Sequence, residues 1–128
     1  MTKSRLMLTL TVVLLGAGAA PTAHHAVAAT YRVDERITIE GEVVELGYRN
    51  PHSYLHINVI DGRQRVRRWA VIWGSRDSTR GAGVPTVLRV GDRVVVTGSP
   101  GRDPGTFQIL MTAIVRSSDG WQWGGTAP

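Results

Sequence analysis

Beyond residue 36 the chain alternates apolar and polar positions with the period of a β-strand, in short runs separated by turn residues. From Ile37 to Leu46, Ile37, Ile39, Gly41 and Val43 fall on one face and Thr38, Glu40, Glu42 and Val44 on the other. A glycine in the middle of such a run predicts a sharp bend or bulge. A second strand is predicted over His52–Ile60, with Leu55, Ile57 and Val59 facing inward against Tyr54, His56 and Asn58. Asp61-Gly62 reads as a tight hairpin turn in which glycine supplies a positive backbone angle. The returning strand, Gln64–Trp73, is ambiguous, because Val66, Ala70 and Ile72 oppose Arg65, Arg67, Trp69, Val71 and Trp73 and both faces carry apolar residues.

After Trp73 the alternation stops. Ser75 can cap one helical turn over Arg76–Arg80 before Gly81 and Gly83 end it. Gly91-Asp92 is the next turn signal, followed by a β-branched strand, Arg93–Gly98. Ser99–Gly105 is a Pro/Gly loop and Thr106–Val115 the last strand. Five strands with a short helical connection after the third predict an all-β fold, a small five-stranded barrel of OB type. A β-sandwich is the rival, although it would usually need about seven strands.

The ends of the chain read differently. Lys3 and Arg5 precede a largely apolar run, Leu6–Leu15, and then the small residues Gly16–Ala20, which is the order of a secretory signal peptide. The run is shorter than the about 20 apolar residues of a membrane span, so no stable anchor is expected after cleavage at Ala19 or Ala23. The organisation predicted is a signal peptide (1–23), an N-terminal arm without an element (24–36), the barrel (37–116) and a flexible C-terminal tail (117–128). The protein is expected in the periplasm or outside the cell.

Composition adds two constraints. With no cysteine, the chain uses neither disulfides nor thiolate chemistry. The net charge of +5 falls to +3 once Lys3 and Arg5 are removed, and every remaining basic residue is arginine.

The order of motifs also carries a resemblance. Ala23-His24-His25 after the signal segment, Asn50-Pro51-His52 in the early sheet, the Trp69 strand, Gly74-Ser75 and Gly91-Asp92 together resemble a family of small exported bacterial proteins of unknown function. The resemblance runs to about residue 120 and implies export and a small β-barrel. Members often have a longer amphipathic segment after the Gly-Ser than Arg76–Gly83 provides.

Candidate chemistry rests on histidine and arginine. His52 and His56 lie about 13 Å apart on an extended strand, at about 3.3 Å per residue, so they cannot share one metal ion. If cleavage follows Ala23, the terminal amine and imidazole of His24, with His25 and His52, form a nitrogen ligand set suited to copper. The alternative is a metal-free ligand face of Tyr54, Arg65, Arg67, Trp69 and Trp73, in which arginines interleave with aromatic rings. Such interleaving serves single-stranded nucleic acid in OB folds, but an exported protein is expected to meet an extracytoplasmic protein or an anionic ligand and no nucleic acid. Ser53 beside His52 is adjacency in sequence rather than a catalytic triad, and Glu40, Glu42 and Glu45 read as solvated. The expectation is a binding module, not an enzyme.

Overall fold

The computed structural model describes residues 21–47, 53–73 and 87–124, with the backbone alone for 21–25 and 53. Helix α1 (Pro21–Thr30) is followed by β1 (Ile37–Gly47), β2 (Ser53–Ile60), β3 (Val66–Trp73), β4 (Arg93–Pro100), β5 (Gln108–Arg116) and β6 (Gln122–Gly124). The sheet order is β3-β2-β1-β4-β5-β6, and a parallel pairing of β3 with β5 closes the first five strands into a barrel of OB type. The expected fold class is therefore the observed one. The short helix expected over Arg76–Arg80 lies outside the described residues.

Strand β1 makes closure possible because it divides its hydrogen bonds between two neighbours. Ile37–Glu42 pair with β4, and Glu42–Gly47 pair with β2. Where the two ladders overlap, the backbone of β1 passes so close to β2 that a Cβ on Gly41 would sit 2.5 Å from the carbonyl oxygen of Asn58. Just beyond, the register slips between Val43 and Glu45. This bulge inverts the alternation, so that Val43 is buried before it and Leu46 packs on the core after it. A second slip, between Thr97 and Gly98 of β4 opposite β5, does the same for β5, where Ile109, Met111 and then Ile114 face inward.

The core lies inside the barrel. Val43, Leu55, Ile57, Val71, Trp73, Val94, Val96, Ile109 and Ile114 are almost wholly removed from water, at roughly 1.5–3 kcal/mol for each fully buried aliphatic or aromatic side chain. The inward face of β2 is the aliphatic one, as its alternation predicts. The ambiguity in β3 is resolved in favour of Val71 and Trp73, so Arg67 and Trp69 belong to the inward-facing row and Arg68 to the outer one.

Three local expectations change. The segment 24–29, read as an arm, is part of α1, because alanine forms helix without any apolar period and proline is well placed at a helix start. It is also tied down: Tyr31 is buried and bridges to Gly101, and Arg102 donates from Nε to the carbonyl of Ala28 (2.6 Å) and from its backbone N–H to that of Thr30 (2.9 Å). The tail, read as flexible, turns at residues 117–120 and returns as β6 alongside β5. Arg116 fixes that turn by donating to both Asp119 carboxylate oxygens (3.0 and 2.7 Å) and to the Val87 carbonyl (2.6 Å), with its guanidinium 5.8 Å from the Trp121 ring. In the β2–β3 hairpin the positive backbone angle falls on Gln64 (φ 59°), not on Gly62. The Gln64 N–H bonds the Asp61 carbonyl (2.9 Å), so the loop is a four-residue turn, 61–64, that ends on the left-handed residue rather than a two-residue turn.

These two glycines should therefore respond oppositely. Gly41→Ala forces a methyl group onto the Asn58 backbone and should lower stability by about 1–3 kcal/mol. Gly62→Ala meets open space and should stay within about 0.5 kcal/mol of the parent. Urea unfolding of both variants checks the contrast.

Candidate ligand face and end cleft

Two groups of polar and aromatic side chains stand out, and both involve the β2–β3 hairpin. The first is on the outer face, where the bulge in β1 brings Glu45 opposite His56. Glu45 Oε2 lies 3.0 Å from His56 Nδ1 and also accepts from Arg68, while Tyr54 donates to Glu45 Oε1 (3.3 Å). The Tyr54 and His56 rings are 5.2 Å apart and tilted by 51°. His56, through its hydrogen bond first and then its charge, holds the Glu45 carboxyl below the usual range, with Arg68 and Tyr54 adding to the effect.

An ionised Glu45 decides the histidine tautomer. His56 Nδ1 is also 3.3 Å from Arg68 Nη2, but one nitrogen cannot both donate to Glu45 and accept from Arg68. Guanidinium only donates, and it already has the carboxylate. Nδ1–H therefore donates to Glu45, and Nε2 is the ring nitrogen available to a ligand.

The second group lies at the end of the barrel formed by the start of β1 and the β4–β5 loop. Trp69 and Phe107 meet edge to face with centroids 5.6 Å apart, and the Arg67 guanidinium stands 5.1 Å from the Phe107 ring centre. A cleft of about 220 Å³ opens beside them, lined among others by Arg32, Ile37, Pro104 and Gln108. Asp61 organises the hairpin tip between the two groups. Its carboxylate accepts from the backbone N–H of Arg63 (2.8 Å) and Arg65 (3.0 Å) and from the side chains of Arg65 (3.0 Å) and Arg67 (3.2 Å).

The residues expected to form one ligand face are thus divided. Arg67 and Trp69 come together, with Phe107, at the start of the predicted last strand, as a partner that the sequence analysis did not single out. Tyr54 is on the other side of the sheet, joined to His56, Arg68 and Glu45. Arg65 is engaged by Asp61. Trp73 is 1% exposed and packed in the core, so it cannot belong to a ligand surface. For the metal set, His24 and His25 lie on the α1 backbone and His52 lies outside the described residues. Among the described residues no three His, Cys, Asp or Glu side chains are grouped to hold a metal ion.

Compared with known sequences, the chain matches a family of unknown function, DUF6152, over residues 12–109. It belongs to that family. None of the curated proteins matches it. Among solved structures, the barrel of this DUF6152 member is similar to the mitochondrial single-stranded DNA binding protein Rim1 of S. cerevisiae in two crystal forms. One form has a TM-score of 0.53 at 15% identity, covering 68% of this chain and 97% of that one. The other has a TM-score of 0.52 at 15% identity, covering 65% and 94%. At this identity the likeness establishes the OB fold. The expectation of no nucleic acid among the partners is corrected by this comparison, since both Rim1 structures are of a single-stranded DNA binding protein.

The Asp61 arrangement has a pH signature. Its acceptance of the Arg65 and Arg63 backbone N–H groups and of the two side chains brings its pKa from 3.8 down to about 2. A depressed carboxylate stabilises the fold above its unfolded pKa, and that contribution is lost as pH falls from about 4 through 2. The protection of the Arg63 and Arg65 amides, taken relative to the intrinsic exchange rate at each pH, should fall across that window, and Asp61→Asn should lower that protection throughout and remove its dependence on pH.

Proposed function

We propose that this protein is an OB-type binding module that holds a single-stranded nucleic acid across the outer face of β2 and β3. The observation that carries the reading is the set of Tyr54, His56 and Arg68 on that face, with two adjacent rings and a guanidinium fixed by one carboxylate. Strands 2 and 3 of an OB barrel are where oligonucleotides and oligosaccharides dock. Aromatic rings there offer stacking planes to bases, and arginine offers a fork to phosphate.

Charge supports the hairpin that carries this face, although of its arginines only Arg68 belongs to the outer group. The segment from Ser53 to Trp73 carries four arginines against one aspartate, which concentrates positive potential on the hairpin. Glu45 offsets one of those charges, but it also keeps His56 and Arg68 from collapsing onto the sheet, so less ordering is left for the ligand to impose. The Rim1 structures add the precedent of a single-stranded DNA binding protein on the same barrel. The basic, apolar and small-residue order of the first 23 residues adds export to the reading, so the strand would be met outside the cytoplasm.

Fluorescence anisotropy of a labelled oligothymidylate tests the proposal. Binding is expected at low salt, with a log–log salt slope of about −1.4 to −2.1 for two or three phosphate contacts on a single strand. Tyr54→Ala with Arg68→Ala should weaken it roughly tenfold or more, since one stacked base is worth about 1–3 kcal/mol. Unchanged anisotropy at low salt, or a double variant that binds like the parent, would remove the proposal.

A further inference from the structure

The end cleft has features that the outer face does not use. It is small, about 220 Å³, which suits one ring or a branched chain of a few carbons rather than the about 300–1,000 Å³ of larger ligand pockets. Trp69, Phe107, Ile37 and Pro104 give it an apolar lining. Its walls are built before any ligand arrives. The Gly101 N–H bonds the Gln108 carbonyl (3.0 Å), the Arg32 N–H bonds the Pro100 carbonyl (2.9 Å), and Asp103 closes its own loop by accepting from the Gly105 N–H at Oδ1 (2.8 Å) and from Thr106 at its carbonyl.

Arg32 supplies the polar contact. Its Nη1 reaches Glu35 (3.1 Å), and its Nε is buried without a hydrogen-bond partner among the described residues. A buried donor left unmade is costly, and more so on a charged group. Arg32 lines the cleft, and a carboxylate that enters it matches the guanidinium edge in shape and charge. Asp103, also on the lining, disfavours a second negative charge.

We infer that this cleft is a binding site for a small monocarboxylate with an aromatic or branched aliphatic body, which packs on Trp69 and Phe107 and gives its carboxylate to Arg32. The same chemistry is offered by a free acid and by the C-terminal residue of a peptide. The site is separate from the strand-binding face, since none of Tyr54, His56 or Arg68 lines it.

Two-dimensional amide and indole NMR of the whole protein tests the site with 3-phenylpropionate, its neutral amide, and Gly-Gly-Phe with a free or an amidated C-terminus. The acid should shift the Trp69 indole and the Phe107 and Gln108 amides. The neutral amide should bind at least tenfold more weakly. Arg32→Gln, at a side chain that is 39% exposed, should fold normally and lose tenfold or more of the affinity for the acid. Tighter binding of the free-ended peptide than of the acid identifies a peptide terminus as the source, and the reverse order identifies a small metabolite. No shifts at millimolar acid, equal binding of acid and amide, or an Arg32→Gln variant that binds like the parent each overturn the inference. Oligothymidylate binding by Arg32→Gln should be unchanged, so failure of the cleft and failure of the strand-binding face are read separately.

Discussion

The close passage of β1 over β2 at Gly41 is the constraint on which the rest of the barrel depends. A strand that pairs with β4 through its first half and with β2 through its second must turn from one to the other within a residue or two. Any side chain at the crossing would meet the Asn58 backbone. The turn has two consequences. It lets the β3–β5 pairing close the barrel over a core of aliphatic side chains and Trp73, and it is followed at once by the bulge that exchanges the two faces of β1.

That exchange links the fold to the outer site. Without an extra residue at Val44, strict alternation would put Glu45 on the same side as Val43, towards the core. The bulge places it opposite His56 instead. From there one carboxylate orders a histidine, an arginine and a tyrosine drawn from β2 and β3. The hairpin tip repeats the device with Asp61, which gathers two backbone amides and two arginines. In both places a single acidic residue fixes several donors, and the hairpin keeps a net positive charge.

Much of this was legible in the sequence, and the exceptions have physical causes. The alternation of β2 and the Gly91-Asp92 turn could be read directly, because one face of the strand is apolar and the turn needs its glycine at positive φ (95°). The faces of β3 could not, because Ala70 and Ile72 on the outside look as apolar as Val71 inside. Glu45 looked like a solvated residue because the mid-strand glycine signals a bend or bulge without saying which residue it sets opposite His56. Phe107 was hidden for a different reason: it opens the predicted last strand, far from Trp69 in sequence, and only the β3–β5 closure brings the two together. Helix α1 and strand β6 were missed because neither has a periodic apolar face; an alanine-rich run and an arginine clamp hold them.

The claim that matters most for function is that the outer face of the β2–β3 hairpin is the surface that meets ligand. Mapping amide hydrogen exchange of the whole protein with and without saturating oligothymidylate addresses it most directly. Added protection gathered on Tyr54–Asn58 and Arg67–Ile72, with the amides of β6 and α1 unaffected, is the predicted result. Protection gathered on β6 or α1, or none on the hairpin, would contradict it.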